Sequence, residues 1–421
     1  MNRKHLLYAG LSLLVLGGAA LRPLRPVNRF WQDRLAGLPA SEKSTGQVAV
    51  VAISDADISR YGTWPWDRAL TARLFRAVAS GRPKVVAFDG YFPHRAIAQP
   101  GDSVLARTFR EMAEKGTKLV LPFQFSQVRN DPSLDRNASE VPASLRASTY
   151  QMLIDQPGLE SAPFLRGQDV LAGDSLYQQW AVPSGHIHSA ADPEDGTYRR
   201  NLLVVRHGED FFPSVVVALL AAYRDANLAE VSLSPQEVRV KDLSVPMDRY
   251  GFAPIRWLGA PGAIPTLAAA ELLEHPDLAA QLQGKIVLVG VTSAAALNRE
   301  TGDFFRTPVG DRFPGVEIWG VSLENALQGH VPVSPAWLRL LEWGLALVGA
   351  GLCWYLIVRR GWGSAVQAAG LGSLVSSLAV LLVLDRLLCV QSAADLPFLG
   401  LLLGWGGAFA FRPSHPAATA V

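Results

Sequence analysis

Four strongly apolar stretches frame a long segment in which short hydrophobic runs alternate with amphipathic ones. The first, Leu6 to Leu21 (LLYAGLSLLVLGGAAL), follows Arg3, Lys4 and His5 and lies at the short limit of the roughly 20 residues that a spanning helix needs. We read residues 1–27 as an N-terminal membrane anchor; a cleaved signal peptide ending near Gly18 and Ala20 is the alternative. The other three stretches, 335–358, 364–384 and 395–411, predict closing transmembrane helices, followed by a short cytoplasmic tail over 412–421. Arg359 and Arg360 put the first closing loop in the cytoplasm, and the loop around Asp385, Arg386 and Asp395 outside.

Between these stretches, 28–334 reads as one extracytoplasmic domain. Gln47 to Ile53 (QVAVVAI) and Lys84 to Phe88 (KVVAF) are continuous β-branched runs of the kind that form strands buried on both faces. Asp67 stands as N-cap before RALTARLFRAVAS, whose apolar residues recur at helical spacing, and Gly81 with Pro83 ends that helix as a C′ glycine and following proline. The pattern repeats: Asp102 to Lys115 predicts a helix, Gly116 its stop, and Lys118 to Leu121 a strand. Such alternation predicts parallel β-α-β crossovers, hence an α/β domain with a largely parallel sheet. Residues 130–179 carry weaker periodicity and read as an insertion. Order resumes with a strand at RRNLLVVR, a helix within Phe212 to Tyr223, a buried strand at Lys285 to Gly290, and a helix over Pro314 to Gln328.

Composition narrows the function classes. Of 421 residues, 49% are hydrophobic and only 18% charged, and the 39 Lys plus Arg nearly balance the 37 Asp plus Glu. No basic face for nucleic acid is implied, and the chain is too apolar to be disordered. Cys353 and Cys389 both fall in the apolar last quarter, so the outer domain is not a disulfide scaffold.

Candidate chemistry gathers where predicted strands end. Asp55, Asp57, Asp89 and Asp303 follow such runs, and ligand crevices of open parallel sheets lie beyond the strands' carboxyl ends. Asp55-Ala-Asp57 also resembles the nucleophile and acid of aspartyl-phosphate phosphatases, although Ser59 stands where Thr or Val is usual. The plainer reading makes these aspartates turn and helix caps. Tyr61-Gly-Thr-Trp64-Pro-Trp66-Asp67-Arg68 makes a rigid aromatic corner, either a packing plug or the wall of a pocket. His186 and His188 alternate as on a strand and read as ordinary polar residues of its edge. No metal site, cofactor motif or catalytic residue is predicted.

Taken in order, VAVVAISDADI, YGTWPWDR, KVVAFDGYF, DSVLARTF, KLVLPF, GHIHSAADPEDGTYRR, FFPSVVVALL, GKIVLVGVTS and TGDFFRTPVGDRFPGVEIWGVSLENAL resemble the second class of CHASE domain, an extracytoplasmic sensor module of bacterial signalling proteins. The resemblance implies a sensor held by an N-terminal anchor and three closing helices in the bacterial cell membrane, with its large domain outside. Ser54 departs from the Asp that family members often carry there. The ten residues after Phe411 hold no kinase or cyclase, so the expected role is a receptor subunit that signals to a separate effector. Its expected partners are an unidentified small molecule or envelope signal, the lipid bilayer, and a membrane or cytoplasmic signalling protein. The expected ligand residues are Asp55, Trp64, Trp66, Arg68, Asp89, Asp195, Arg199, Arg200 and Asp303. Two other classes remain open: a membrane-tethered, metal-dependent phosphohydrolase built on Asp55, Asp57 and Asp89, and a non-sensing envelope assembly protein.

Overall fold

The computed structural model describes residues 25–38, 43–93, 100–136, 138–293, 303–360 and 364–392. They fall into two compact units, Pro39–Pro332 and the flanking segments on either side of it. The expected anchor stretch 6–21, the third closing helix 395–411 and the tail 412–421 lie outside the described residues.

Five parallel strands organise the larger unit: β1 (Val48–Ile53), β2 (Val85–Asp89), β3 (Lys118–Val120), β4 (Thr266–Ala268) and β5 (Ile286–Val291), in the order β4-β1-β5-β2-β3. Every residue of β1 and β5 is buried, as apolar side chains on both faces require. The crossovers read from the sequence are present. Helices α1 (Asp55–Tyr61), α2 (Arg68–Ser80) and α3 (Asp102–Glu114) follow β1 and β2 in turn. α4 (Val215–Tyr223), α5 (Ala269–Glu274) and α6 (Gly315–Gln328) complete the helical layers. α2, α3 and α5 cover one face of the sheet through Leu74, Phe75, Phe109 and Leu272, while α4 and α6 cover the other.

Local signals explain most boundaries. Asp67 accepts a hydrogen bond from Leu70 N at 2.7 Å and caps α2. Gly81 does end α2, but not as a left-handed residue: its φ is −77°, and the positive φ falls on Arg82. Glycine is required there because a Cβ would run into the Ala279 carbonyl. α4 is apolar on all sides because it is buried on all sides. α6 is almost as deeply buried; Ser322 Oγ has no hydrogen-bond partner among the described residues, but the helix's buried acidic and amide side chains are satisfied. Glu317 accepts from Gly262 N (2.6 Å), Glu324 from Ser44 Oγ (2.7 Å) and Thr45 N (2.9 Å), and Asn325 bonds both the N and O of Arg256.

The single strand expected at RRNLLVVR is two. Arg200–Leu202 pairs with Phe252–Pro254, whereas Val204–His207 forms a hairpin with Asp210–Pro213, and Leu203 between them bonds outside either ladder. That hairpin is joined by Val128–Arg129 and Arg166–Gly167 into a small second sheet over a core that includes Phe123, Phe125 and Phe212. The insertion therefore packs, but in two-residue strands and helical pieces of four to six residues, too short to show a period.

The smaller unit contains three described helices, Arg25–Ala36, Ala336–Arg360 and Ser364–Leu388. Among the described residues one helix is long and apolar enough to cross a membrane, over Leu371–Leu388. Asp385 and Arg386, expected in an outer loop, lie inside this helix, and Arg386 donates to the Leu35 carbonyl at 2.9 Å. The two long helices pack closely at Gly349, where a Cβ would stand 2.9 Å from Ser373 Oγ. Gly372, by contrast, has no atom of another element within 4 Å of where its Cβ would be, among the described residues.

Candidate functional site

The carboxyl ends of β2 and β5 open into a cavity of about 420 Å³ in the larger unit. β2 supplies Phe88 and Asp89, and β5 supplies Val291. The corner before α2 brings Trp64, Pro65, Trp66 and Arg68. Asp303 and Phe305 come from the start of the hairpin Phe304–Thr307/Gly310–Pro314, and Gly315 and Trp319 from α6.

Aromatic packing holds one wall. Trp64 meets Trp66 edge-on at 5.8 Å between ring centroids, Trp64 leans on Phe88 at 6.4 Å, and Phe88 stacks on Phe92 at 4.8 Å. Trp66 is buried and donates its indole N–H to the Gly62 carbonyl at 3.0 Å, so it anchors the corner while Trp64 keeps some exposed surface. Both indoles line the cavity, and Trp66 also packs the corner. Arg68 lies over the Phe92 ring at 4.6 Å, with Nε 3.5 Å from Asp102 Oδ1, and Tyr177 donates to the same oxygen at 2.6 Å.

The other wall contains two carboxyl groups in hydrogen-bond contact, Asp89 and Asp303. Desolvation raises both above the usual carboxylate range. For Asp89 the neighbouring Asp303 charge pushes further in the same direction, so Asp89 is the member that keeps a proton. Asp89 Oδ2 is sealed from solvent and has no hydrogen-bond partner among the described residues. Glycines create this proximity. A Cβ on Gly315 would stand 2.5 Å from both Asp303 carboxylate oxygens, and one on Gly290 would meet Val316 Cβ at 2.7 Å and Asp89 Cβ at 3.0 Å. The first turn of α6 can thus press against the sheet and hold the pair together. Tyr198, buried across the cavity, has its hydroxyl pushed up by burial and by the Asp303 charge.

Of the residues expected from the sequence, Trp64, Trp66, Arg68, Asp89 and Asp303 meet here. Asp55 lies outside the lining and accepts from the Ser293 hydroxyl. Asp195, Arg199 and Arg200 are also outside it. Arg199 forms a bidentate pair with Asp195 (3.0 and 2.7 Å) that holds the Asp195 carboxyl well below its usual range, and Arg200 pairs with Asp248 at 2.9 Å. Asp57 is a cap: it accepts from Ser54 N at 2.7 Å, from the Ser54 hydroxyl, and from Ala270 N at 2.5 Å, fastening the starts of α1 and α5. Tyr198, Phe305, Trp319 and Gly315 were not anticipated. Their only sequence signal is a position beside Asp303 or inside the motifs DGTYRR and PGVEIWG.

His186 and His188 are not on a strand edge. Their rings, 6.1 Å apart, both pack against Phe125 beneath the second sheet. His186 is buried with neither ring nitrogen hydrogen-bonded among the described residues, and burial drives its pKa far down. His188 accepts from Phe125 N at 2.7 Å and is lowered to about 4 by burial. Among the described residues no group of three His, Cys, Asp or Glu is arranged to hold a metal.

Compared with known protein families, the chain matches one family model, described as CHASE2 domain, over residues 10–358. No curated protein and no solved structure matches it.

Proposed function

The chain belongs to the CHASE2 domain family of extracytoplasmic sensors, and from that premise we propose that it is a multi-pass membrane receptor whose outer domain binds a small ligand in the Asp89–Asp303 cavity. The observation that carries this reading is the cavity itself. It combines an aromatic wall with two convergent carboxyls at the carboxyl ends of parallel strands, where ligands of open α/β sheets bind. The ligand is bound and released unchanged, and its binding favours one of two arrangements of the outer domain. The flanking helices relay that arrangement across the bilayer to an effector protein. Leu340, Val348, Val375 and Leu387 face outward from those helices, as side chains in contact with lipid do.

The experiment is in-cell crosslinking followed by purification of the tagged chain in mild detergent and identification of what accompanies it. A stoichiometric protein carrying a cytoplasmic signalling domain is the expected result. Recovery of the chain alone, under conditions that crosslink a known membrane complex, sinks the receptor reading. Gly372, open on its helix surface, gives a sharper version. Gly372→Leu is expected to reduce partner recovery about tenfold, the equivalent of roughly 1.4 kcal/mol, without changing the melting of the outer domain. Undiminished recovery excludes that helix face from partner contact.

A further inference from the structure

We propose that the ligand is a small organic cation, a protonated amine or quaternary ammonium, whose charge sits against Asp89 and Asp303 and whose body packs against the aromatic wall of the cavity. This rests on the cavity being the sensor's ligand site.

Two independent observations point to this chemistry. The first is the lining. Trp64, Phe88, Phe305 and Trp319 surround the space, and the faces of aromatic rings attract organic cations. The second is Asp89 Oδ2, an acceptor sealed from water with no hydrogen-bond partner among the described residues. A buried acceptor left in that condition costs about 1–3 kcal/mol, and an entering N–H donor or positive charge removes the cost.

The alternatives fit less well. An inorganic divalent cation wants about six to eight oxygens for calcium, or for magnesium a shell of waters that an aromatic lining cannot solvate. Two carboxyls are too few. An anion would have to approach both carboxyls; the one cationic side chain of the lining, Arg68, is paired with Asp102 at 3.5 Å and lies over Phe92, although its Nε has no hydrogen-bond partner among the described residues. The remaining titratable groups of the lining are Tyr91 and Tyr198, both pushed upward by burial and therefore neutral through the working range.

A charge balance follows. In the empty cavity the two carboxyls share a proton, since like charges in contact are not both ionised. A bound cation takes over the neutralisation, and the proton leaves to solvent. Binding is therefore tighter at higher pH.

The test uses the full-length chain in detergent and follows tryptophan fluorescence as probes are added. The probes are benzyltrimethylammonium, whose charge does not titrate, benzylamine, neutral benzyl alcohol, and anionic benzoate. Both cations are expected to bind about tenfold more tightly than benzyl alcohol. Benzyltrimethylammonium is expected to bind more tightly at pH 8 than at pH 5. Asp89→Asn is expected to lose this preference and the pH dependence while melting no lower than the wild type at pH 8; should that variant not fold, Asp303→Asn carries the same test. No saturable response to either cation overturns the inference, as does equal binding of benzyl alcohol or benzoate, or unchanged cation binding in the variants. Partner recovery by crosslinking needs no added cation. A negative titration with a recovered partner thus overturns the ligand class and leaves the receptor reading in place.

Discussion

Asp57→Ala is expected to destabilise the outer domain by about 3 kcal/mol or more, a fall of about 6–12 °C in melting temperature. The carboxylate is fully buried and accepts from Ser54 N, the Ser54 hydroxyl and Ala270 N, so its removal strips two helix starts of their cap at once. Both backbone N–H groups would then be left without a partner in a site that water cannot readily reach. Asp57→Asn is not a conservative rescue, because one of the two carboxylate oxygens becomes an NH₂ group facing an N–H donor. It should therefore lose more than half as much stability as Asp57→Ala. Thermal unfolding of the full chain in detergent measures both; a fall of less than about 2 °C for Asp57→Ala would refute the double-capping role.

The contrast between Asp57 and Asp89 shows what the sequence could and could not reveal. Asp57 comes shortly after one buried strand and Asp89 ends another, so the local pattern is nearly the same. After β1 the chain turns straight into α1, and a Ser three residues before Asp57 completes a capping box within one turn. Asp89 has no such local partner. Its partner, Asp303, is more than 200 residues away in sequence and reaches it only because Gly290 and Gly315 let α6 touch the sheet. No periodicity reports a contact of that kind. The alternating strands and helices were legible because buried parallel strands and one-sided helices leave strong periods. The split at Leu203, the small second sheet and the burial of His186 were not, since each depends on tertiary pairing of pieces two to four residues long. The aromatic corner was legible as a cluster, but that Trp66 is its buried anchor while Trp64 keeps exposed surface required the fold.

The Asp89–Asp303 pair should make the ligand-free outer domain less stable as pH rises. The folded-state pKa of each carboxyl is raised above its value in the unfolded chain, which is about 3.9. Between the unfolded value and the raised folded value, the folded protein holds more protons than the unfolded one. The stability slope with pH is then negative. The pair's stabilising contribution is complete below about pH 4 and is lost as pH climbs through the folded values.

His186 and His188 act in the opposite sense. Their folded pKa values are depressed, to about 4 for His188, so they lower stability as pH falls below about 6.5. Wild-type stability should therefore pass through a maximum, and a single curve would not separate the two sources. The difference between Asp89→Asn and wild type does separate them, because the histidines are common to both. That difference should be near zero or slightly negative at pH 4 and should grow in favour of Asp89→Asn toward pH 8, by about 2–4 °C for each kcal/mol of repulsion relieved. Asp303→Asn should give a similar curve, and the double variant should gain little over either single one, since each already abolishes the same like-charge contact. A difference curve that is flat with pH, or one that favours the wild type at pH 8, would mean that the two carboxyls do not share a proton. The cation would then lose the exchange that makes its binding pH-dependent.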